Sequence, residues 1–240
     1  MQEGFFGFAI LIGYFSISAL LAVLAKKVLK MPSEMVRKTC HIIVVMSVVV
    51  LLNAFRTWYL AVLVVFVFAL AVYPMLALVE RYPFYSSFLA ERRSGEVKSS
   101  MIWVFLMLAL LMTVFWGLLG ETWKFVIVGA VMAWGFGDAA AALVGKAVGR
   151  RTIEHRYVEG KKTVEGTLAM YGVACLAIFV TTMMYDAVPW YLCLAIALFV
   201  APVCALVELF TRRGMDTITV PISAAVAISA LVSFFRYLGV

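Results

Sequence analysis

A carboxylate inside an apolar stretch is the first residue of this chain that points to chemistry. Asp138 lies eight residues before Lys146, in a run whose other side chains are apolar or absent. At about 1.5 Å of rise per helical residue, the carboxylate is expected on the order of 12 Å below the helix end. Acids at such depth usually face a polar cavity, a partner or an ion. Asp138 is therefore a candidate functional residue, and a structural buried hydrogen bond is the alternative.

Small residues recur at every fourth position around Asp138. They form one stripe along the expected helix: Ala133, Gly137, Ala141, Gly145 and Gly149. Such a stripe allows two helices to pack closely. Beside Asp138 and Lys146, it would also let a phosphate chain or a lipid headgroup approach the backbone. Gly137 and Gly145 are therefore candidate nucleotide-binding positions.

A second group of polar residues precedes the next apolar run. Lys161, Lys162 and Thr163 stand at its start, and Glu165 enters it. A helix N-terminus offers free N–H groups and a positive dipole end, so this combination predicts an anion site, with phosphate as the guest. The alternative is that the lysines extend from the membrane boundary and Thr163 is only an N-cap.

A third group closes the penultimate apolar run, where Glu208 is followed by Arg212, Arg213 and Asp216. Glu208 and Arg212 are four residues apart and could form a simple ion pair on one helix face. Alternatively they act separately, because acids mixed with lysine and arginine suit Mg²⁺ that bridges a polyphosphate.

Eight apolar segments must position these groups. The chain has 240 residues, of which 65% are hydrophobic and 14% charged. Its apolar runs approach 20 residues, which predicts membrane-spanning helices and excludes a β-barrel of short alternating strands. The predicted spans are 5–25, 40–54, 57–79, 101–120, 124–146, 164–185, 188–208 and 220–238. The second is short enough for a re-entrant helix, because Asn53 and Arg56 interrupt it.

The basic residues predict the orientation of these spans. All 20 lysines and arginines except Arg56, Lys124 and Arg236 fall on one side, which the positive-inside rule makes cytoplasmic. Both termini are then outside, and every candidate group faces the cytoplasm.

Topology and anionic headgroups account for the net charge of +7, so no nucleic-acid partner is expected. The chain is predicted to be a single all-α transmembrane domain, 1–240, in the cell membrane, with a monomer and a homo-oligomer both open.

Several short motifs together resemble the CTP-dependent lipid kinases, which include phytol kinase, dolichol kinase and CTP-using diacylglycerol kinases. They are Gly-Asp-Ala-x-Ala-Ala-x-x-Gly at 137–145, Lys-x-x-Glu-Gly at 162–166, Glu208 with Arg-Gly-x-Asp at 213–216, Arg-Lys-x-x-His at 37–41, and the segment 91–99. This family shares a superfamily with the phosphatidate cytidylyltransferases. The chain departs from the family where Thr217 replaces a frequent asparagine after the aspartate.

The resemblance implies transfer of the γ-phosphoryl group of CTP to a membrane lipid alcohol, with Mg²⁺ as cofactor. As a hypothesis, Asp138 and Asp216 bind the metal, with Glu208 either completing its ligands or orienting basic side chains, as Glu165 also could. The phosphates would be contacted by basic and hydroxyl side chains: Lys146, Arg150, Lys161, Lys162, Thr163, Arg212 and Arg213. Asp138 or His41 would accept the proton of the lipid hydroxyl. The alternative for His41 is a structural role, as a hydrogen-bonded histidine at the membrane interface.

Two other functions stay open at this point. A phosphatidate cytidylyltransferase would have serine at position 209 and lysine at 215, where this chain has Leu209 and Met215. A transporter would also suit acids within membrane helices. Against transport, the charged residues gather on one side of the membrane instead of marking a path across it.

Overall fold

The computed structural model describes residues 2–81, 95–212 and 214–239, and nearly all of them are helical. Within these ranges, extended pairing is limited to one antiparallel bridge, between Thr152 and Thr163.

The described part of the chain contains eight α-helices. Their bounds are α1 Gln2–Leu29, α2 Ser33–Ala54, α3 Trp58–Val79, α4 Glu96–Leu111, α5 Lys124–Val148, α6 Val164–Met184, α7 Trp190–Phe210 and α8 Asp216–Tyr237. A π-helical segment, Met112–Leu118, continues α4, and a 3₁₀ turn, Glu121–Trp123, precedes α5. With these extensions, all eight helices are long and apolar enough to cross a membrane. The predicted all-α, polytopic membrane architecture is confirmed, and the outward orientation of both termini stays a prediction.

Three helices begin four or more residues earlier than the apolar pattern predicts. α2 starts at Ser33 instead of 40, so it has 22 residues, not the shortened span expected. The reason is that helical structure continues through a polar first turn in which Arg37 pairs with Glu34, and such pairs stabilise a helix outside lipid. α4 likewise begins at Glu96 instead of 101, and α8 at Asp216 instead of 220.

The helices divide into two compact units, Met1–Gly117 and Leu118–Val240. The single domain expected from the sequence stays a prediction. In the first unit, α1 packs on α2 and α3, and α3 packs on α4. The Glu3 carboxylate accepts hydrogen bonds from the backbone N–H groups of Arg56 and Thr57, at 2.7 and 3.0 Å, and so satisfies donors at the start of α3.

The second unit is a four-helix arrangement with α5 at its centre. α5 contacts α6, α7 and α8, and α7 also packs on α6 and α8. Every side chain from Phe125 through Trp134 is buried. Because consecutive helices of the unit run up and down, the C-termini of α5 and α7 lie at the same end as the N-termini of α6 and α8. The predicted charged groups of this unit are at those termini or in the connections between them, except Asp138, which lies within α5.

Candidate functional site

The connection between α5 and α6 folds back on itself as a short hairpin. Ile153 N–H donates to the Lys162 carbonyl at 2.8 Å, and Val164 N–H donates to the Arg151 carbonyl at 3.0 Å. The Glu165 carboxylate accepts a hydrogen bond from Arg151 N–H at 3.3 Å. The hairpin, residues 149–163, therefore places Lys161, Lys162 and Thr163 beside the end of α5.

Thr163 is the N-cap of α6, which was the alternative interpretation of its position. Its hydroxyl accepts a hydrogen bond from Gly166 N–H at 3.1 Å, and its carbonyl accepts one from Thr167 N–H at 3.0 Å. Val164 N–H is bonded to the Arg151 carbonyl, so at least two of the first N–H donors of α6, those of Val164 and Gly166, are used within the protein. An anion at this terminus would therefore depend mainly on the lysine side chains and the dipole.

Lys162 forms the central ion pair of this end of the unit. Its ammonium group donates to Glu208 Oε1 at 2.9 Å and also to the Glu208 main-chain carbonyl. The side chains are 22% and 11% exposed, so water screens the pair only partly. Since Glu208 lies in the last turn of α7, this contact fastens the start of α6 to the end of α7.

Arg212 binds the hairpin. Its guanidinium donates to the carbonyls of Tyr157, at 3.1 Å, and Arg156. It also lies 5.7 Å from the centre of the Tyr157 ring, a distance at which a cation and an aromatic face attract each other. His155 packs edge-on against Phe210 at the end of α7. The alternative in which Arg212 pairs with Glu208 is thus replaced by two separate contacts, Glu208 with Lys162 and Arg212 with the hairpin.

The small-residue stripe of α5 packs against α6. A Cβ atom on Gly137 would lie 2.4 Å from Met170 Sδ, and one on Gly145 would lie 3.1 Å from Thr163 Oγ1. From the other helix, a Cβ atom on Gly166 would lie 2.8 Å from the Ala141 carbonyl oxygen. Close helix packing therefore occupies the stripe. The nucleotide-binding role of Gly137 and Gly145 stays a prediction that this packing does not support.

The remaining predicted residues of the unit surround this framework. Asp138 is half-buried on α5, ten residues before its end at Val148, which corresponds to roughly 15 Å of helix. Asp216 is the half-buried first residue of α8. Three basic side chains are exposed to solvent: Lys146, Arg150 and Lys161.

The carboxylates of this unit do not gather into a metal-binding cluster. Within residues 2–81, 95–212 and 214–239, no three His, Cys, Asp or Glu side chains form a group that could bind a metal ion. Glu208 is paired with Lys162, so its predicted role as a metal ligand gains no support. Mg²⁺ commonly uses only one or two carboxylates together with substrate phosphates. Asp138 and Asp216 supply that number of carboxylates, and their joint binding of Mg²⁺ stays a prediction.

Two predicted residues lie elsewhere. His41 is half-buried on α2 in the first unit, and its place at the site stays a prediction. Arg213 lies outside the described residues, as does most of the 91–99 segment.

Sequence reasoning missed two features. The carbonyls of Arg156 and Tyr157 bind Arg212, and main-chain acceptors leave no signal in residue types. The hydroxyls of Thr211 and Thr219 lie 3.0 Å apart across the turn between α7 and α8. The sequence signal for this contact was that one threonine lies on each side of the turn.

Comparison with known proteins gives one partial match. Over 100 residues, the chain is 42% identical to a phytol kinase from Synechocystis sp., a stretch that covers 40% of this chain and 39% of that protein. The match therefore spans about two fifths of the curated relative. No protein-family model and no solved structure matches the chain. The similarity relates the chain to a kinase at the level of a distant, partial homologue.

Proposed function

We propose that this protein is a CTP-dependent lipid kinase, which transfers the γ-phosphoryl group of CTP to the hydroxyl of a lipid alcohol in the bilayer. The observation that carries the proposal is the 42% identity with a phytol kinase. The eight apolar helices support it, because they give the chain direct access to a lipid acceptor.

The charges at one end of the second unit suit a polyphosphate. The exposed Lys161 and the exposed arginines of the hairpin supply positive charge, and Lys162 supplies a further charge that is held in place by Glu208. Glu208 positions the Lys162 ammonium group by bonding it twice. In this proposal, Lys162 then contacts the phosphates without first having to be ordered, which lowers the entropic cost of reaching the transition state.

Asp138 and Asp216 are the residues that would bind Mg²⁺. When bound, this ion would neutralise charge on the phosphate oxygens. The protein's own task is to position CTP and the lipid hydroxyl in line, since phosphoryl transfer has a loose transition state and needs little covalent assistance. Asp138 would accept the hydroxyl proton as the new O–P bond forms, while the bond between the γ-phosphorus and the β-phosphate oxygen breaks and CDP leaves. The site would face the cytoplasm.

The test is turnover by the purified protein in lipid nanodiscs. It receives CTP, Mg²⁺ and, one at a time, phytol, a polyprenol, diacylglycerol and phosphatidate, with a parallel series containing ATP. CDP together with a phosphorylated alcohol is expected. Equal use of ATP would remove CTP dependence but keep phosphoryl transfer. Pyrophosphate released with phosphatidate would show a cytidylyltransferase instead, and the absence of any nucleotide product would contradict an enzymatic role.

A further inference from the structure

An apolar groove runs along the outer face of the second unit, between α7 and α8. It has a volume of about 580 Å³, and one column of its lining consists of Ile218, Ile222, Val226 and Ala230 of α8. Val207 of α7 forms part of the opposite wall. Ile218 to Ala230 is twelve residues, or roughly 18 Å of helix. One leaflet of hydrocarbon is about 15 Å thick, half of the 30 Å core, so the groove is about as long as one leaflet is thick.

The groove is a depression in the surface because the side chains along it are small. Ser223, Ala227 and Ala230 lie along it, whereas neighbouring outward residues such as Leu206 and Phe210 are large and exposed. The opposite face of α8 is filled by packing inside the unit, where Val220, Ala224 and Ile228 are fully buried. The hollow is therefore on the side that lipid reaches.

The groove has a polar end, and that end is at the site. Thr219 lines the groove, and its hydroxyl lies 3.0 Å from that of Thr211. Thr211 Oγ1 donates to the Val207 carbonyl at 2.5 Å, and Thr219 Oγ1 donates to the Met215 carbonyl at 3.1 Å. A hydroxyl oxygen can also accept hydrogen bonds. Thr211 lies one helical turn from Glu208, the partner of Lys162.

We propose that the α7–α8 groove binds the hydrocarbon chain of the acceptor, and that the acceptor's hydroxyl lies at Thr211 and Thr219. This inference rests on the proposed function and adds to it where the acceptor binds. The occupant is a lipid alcohol with one chain, because the lining is a single strip of α8 with one residue of α7. The threonine pair at its end, one helical turn from Glu208, distinguishes this groove from ordinary lipid-facing surface.

The first test needs no turnover. A phytol analogue with a diazirine at the end of its chain is added to the full protein in nanodiscs and photolysed, and the labelled peptides are sequenced. Labelling is expected to concentrate on α8 near Ala230. Equal labelling of the lipid-facing side of α6, or labelling elsewhere, would overturn the groove.

The second test fills the groove. Ala227→Phe is expected to raise the KM for phytol about tenfold or more, since even one methylene in an apolar pocket changes discrimination by about that factor, while the KM for CTP stays within twofold. Ala230→Leu, at the exposed far end of the groove, provides a variant less able to disturb folding. Gly172→Phe on α6 is the control, because a side chain there points into open space.

The outcomes separate the two proposals. Labelling on α8 without a phosphorylated product keeps the groove and overturns the kinase. A phosphorylated product, with unchanged KM in both filled variants and labelling away from α8, keeps the kinase and overturns the groove.

Discussion

The ammonium group of Lys162 bonds two oxygens of one residue, the side chain and the main-chain carbonyl of Glu208. The carbonyl lies in the last turn of α7, where main-chain acceptors have no partner in the helix. Lys162 therefore neutralises a buried carboxylate and also satisfies a helix terminus. Loss of either partner would leave the other with an uncompensated charge.

This pair predicts a coupling energy between positions 162 and 208. In a double-mutant cycle of Lys162→Met and Glu208→Gln, the interaction term in the free energy of unfolding should be about 1 kcal/mol or more, because the pair is shielded from water. Denaturant unfolding in detergent measures it. The matched cycle of Arg212→Met with Glu208→Gln should give a coupling below about 0.5 kcal/mol, since Arg212 bonds the hairpin. A larger coupling for Arg212 than for Lys162 would contradict the described geometry.

Asp138 carries the sharpest prediction about turnover. Asp138→Asn keeps the volume and a hydrogen-bonding oxygen but removes the negative charge. A loss of turnover on the order of 10²-fold or more is expected, comparable with removing one preorganised electrostatic contact. Stability should hold or rise, since a neutral side chain is easier to bury in a membrane helix. Turnover with CTP and phytol, together with thermal unfolding, measures both effects.

Asp186→Asn is the control for that experiment. Asp186 follows α6 at the opposite end of the unit and has φ of 46°, a left-handed conformation that asparagine adopts as readily. Its turnover should stay within about twofold of the original protein. Near-normal transfer by Asp138→Asn with unchanged Mg²⁺ dependence would show that the central site assignment is wrong.

At the scale of elements, α5 and α6 approach each other through glycine on both sides. The Gly166 Cα faces the Ala141 carbonyl and the Gly145 Cα, so main chain meets main chain. Backbone atoms cannot rotate away as a flexible side chain can. The two helices can approach each other this closely near Thr163 because Gly145 and Gly166 have no side chains.

This contact predicts opposite results for two glycine substitutions in α6. Gly166→Ala should destabilise the protein by about 1–3 kcal/mol, because the added methyl group overlaps the Ala141 carbonyl. Gly172→Ala meets open space and should stabilise it by about 0.5–1 kcal/mol through the helix preference for alanine. Unfolding in detergent compares them. Equal effects would mean that the helices are farther apart than described.

At the scale of the whole molecule, hydropathy predicted all eight helices because only a helix satisfies its own backbone in lipid. It misplaced the starts of α2, α4 and α8, where polar first turns stay helical outside the apolar run. The site was predictable to the extent that charged residues stood at helix ends. The partners of Glu208 and Arg212 were not, because they are contributed by Lys162, 46 residues away, and by main-chain carbonyls in the hairpin.

The order of the helices also predicts that the two ends of α5 lie on opposite sides of the membrane. Single cysteines are introduced as Glu121→Cys and Arg151→Cys, with the half-buried Cys40 and Cys175 changed to alanine. The helix from Glu121 to Val148 has 28 residues, or about 42 Å, enough to cross the bilayer. An impermeant maleimide should label position 121 in intact cells and position 151 only after permeabilisation. Labelling of both positions from one side would contradict the eight-span topology.

The π-helical end of α4 affects where a residue can be deleted from this helix. A π turn closes its hydrogen bonds five residues apart instead of four, so Met112–Leu118 accommodates more residues than an α-helix of the same number of turns. Removing one residue elsewhere in α4 would rotate every later side chain by about 100° about the helix axis. Within the π segment, the same deletion could be absorbed by a return to α-helical hydrogen bonding. This segment is therefore where α4 can lose a residue in evolution without presenting a different face to its neighbours.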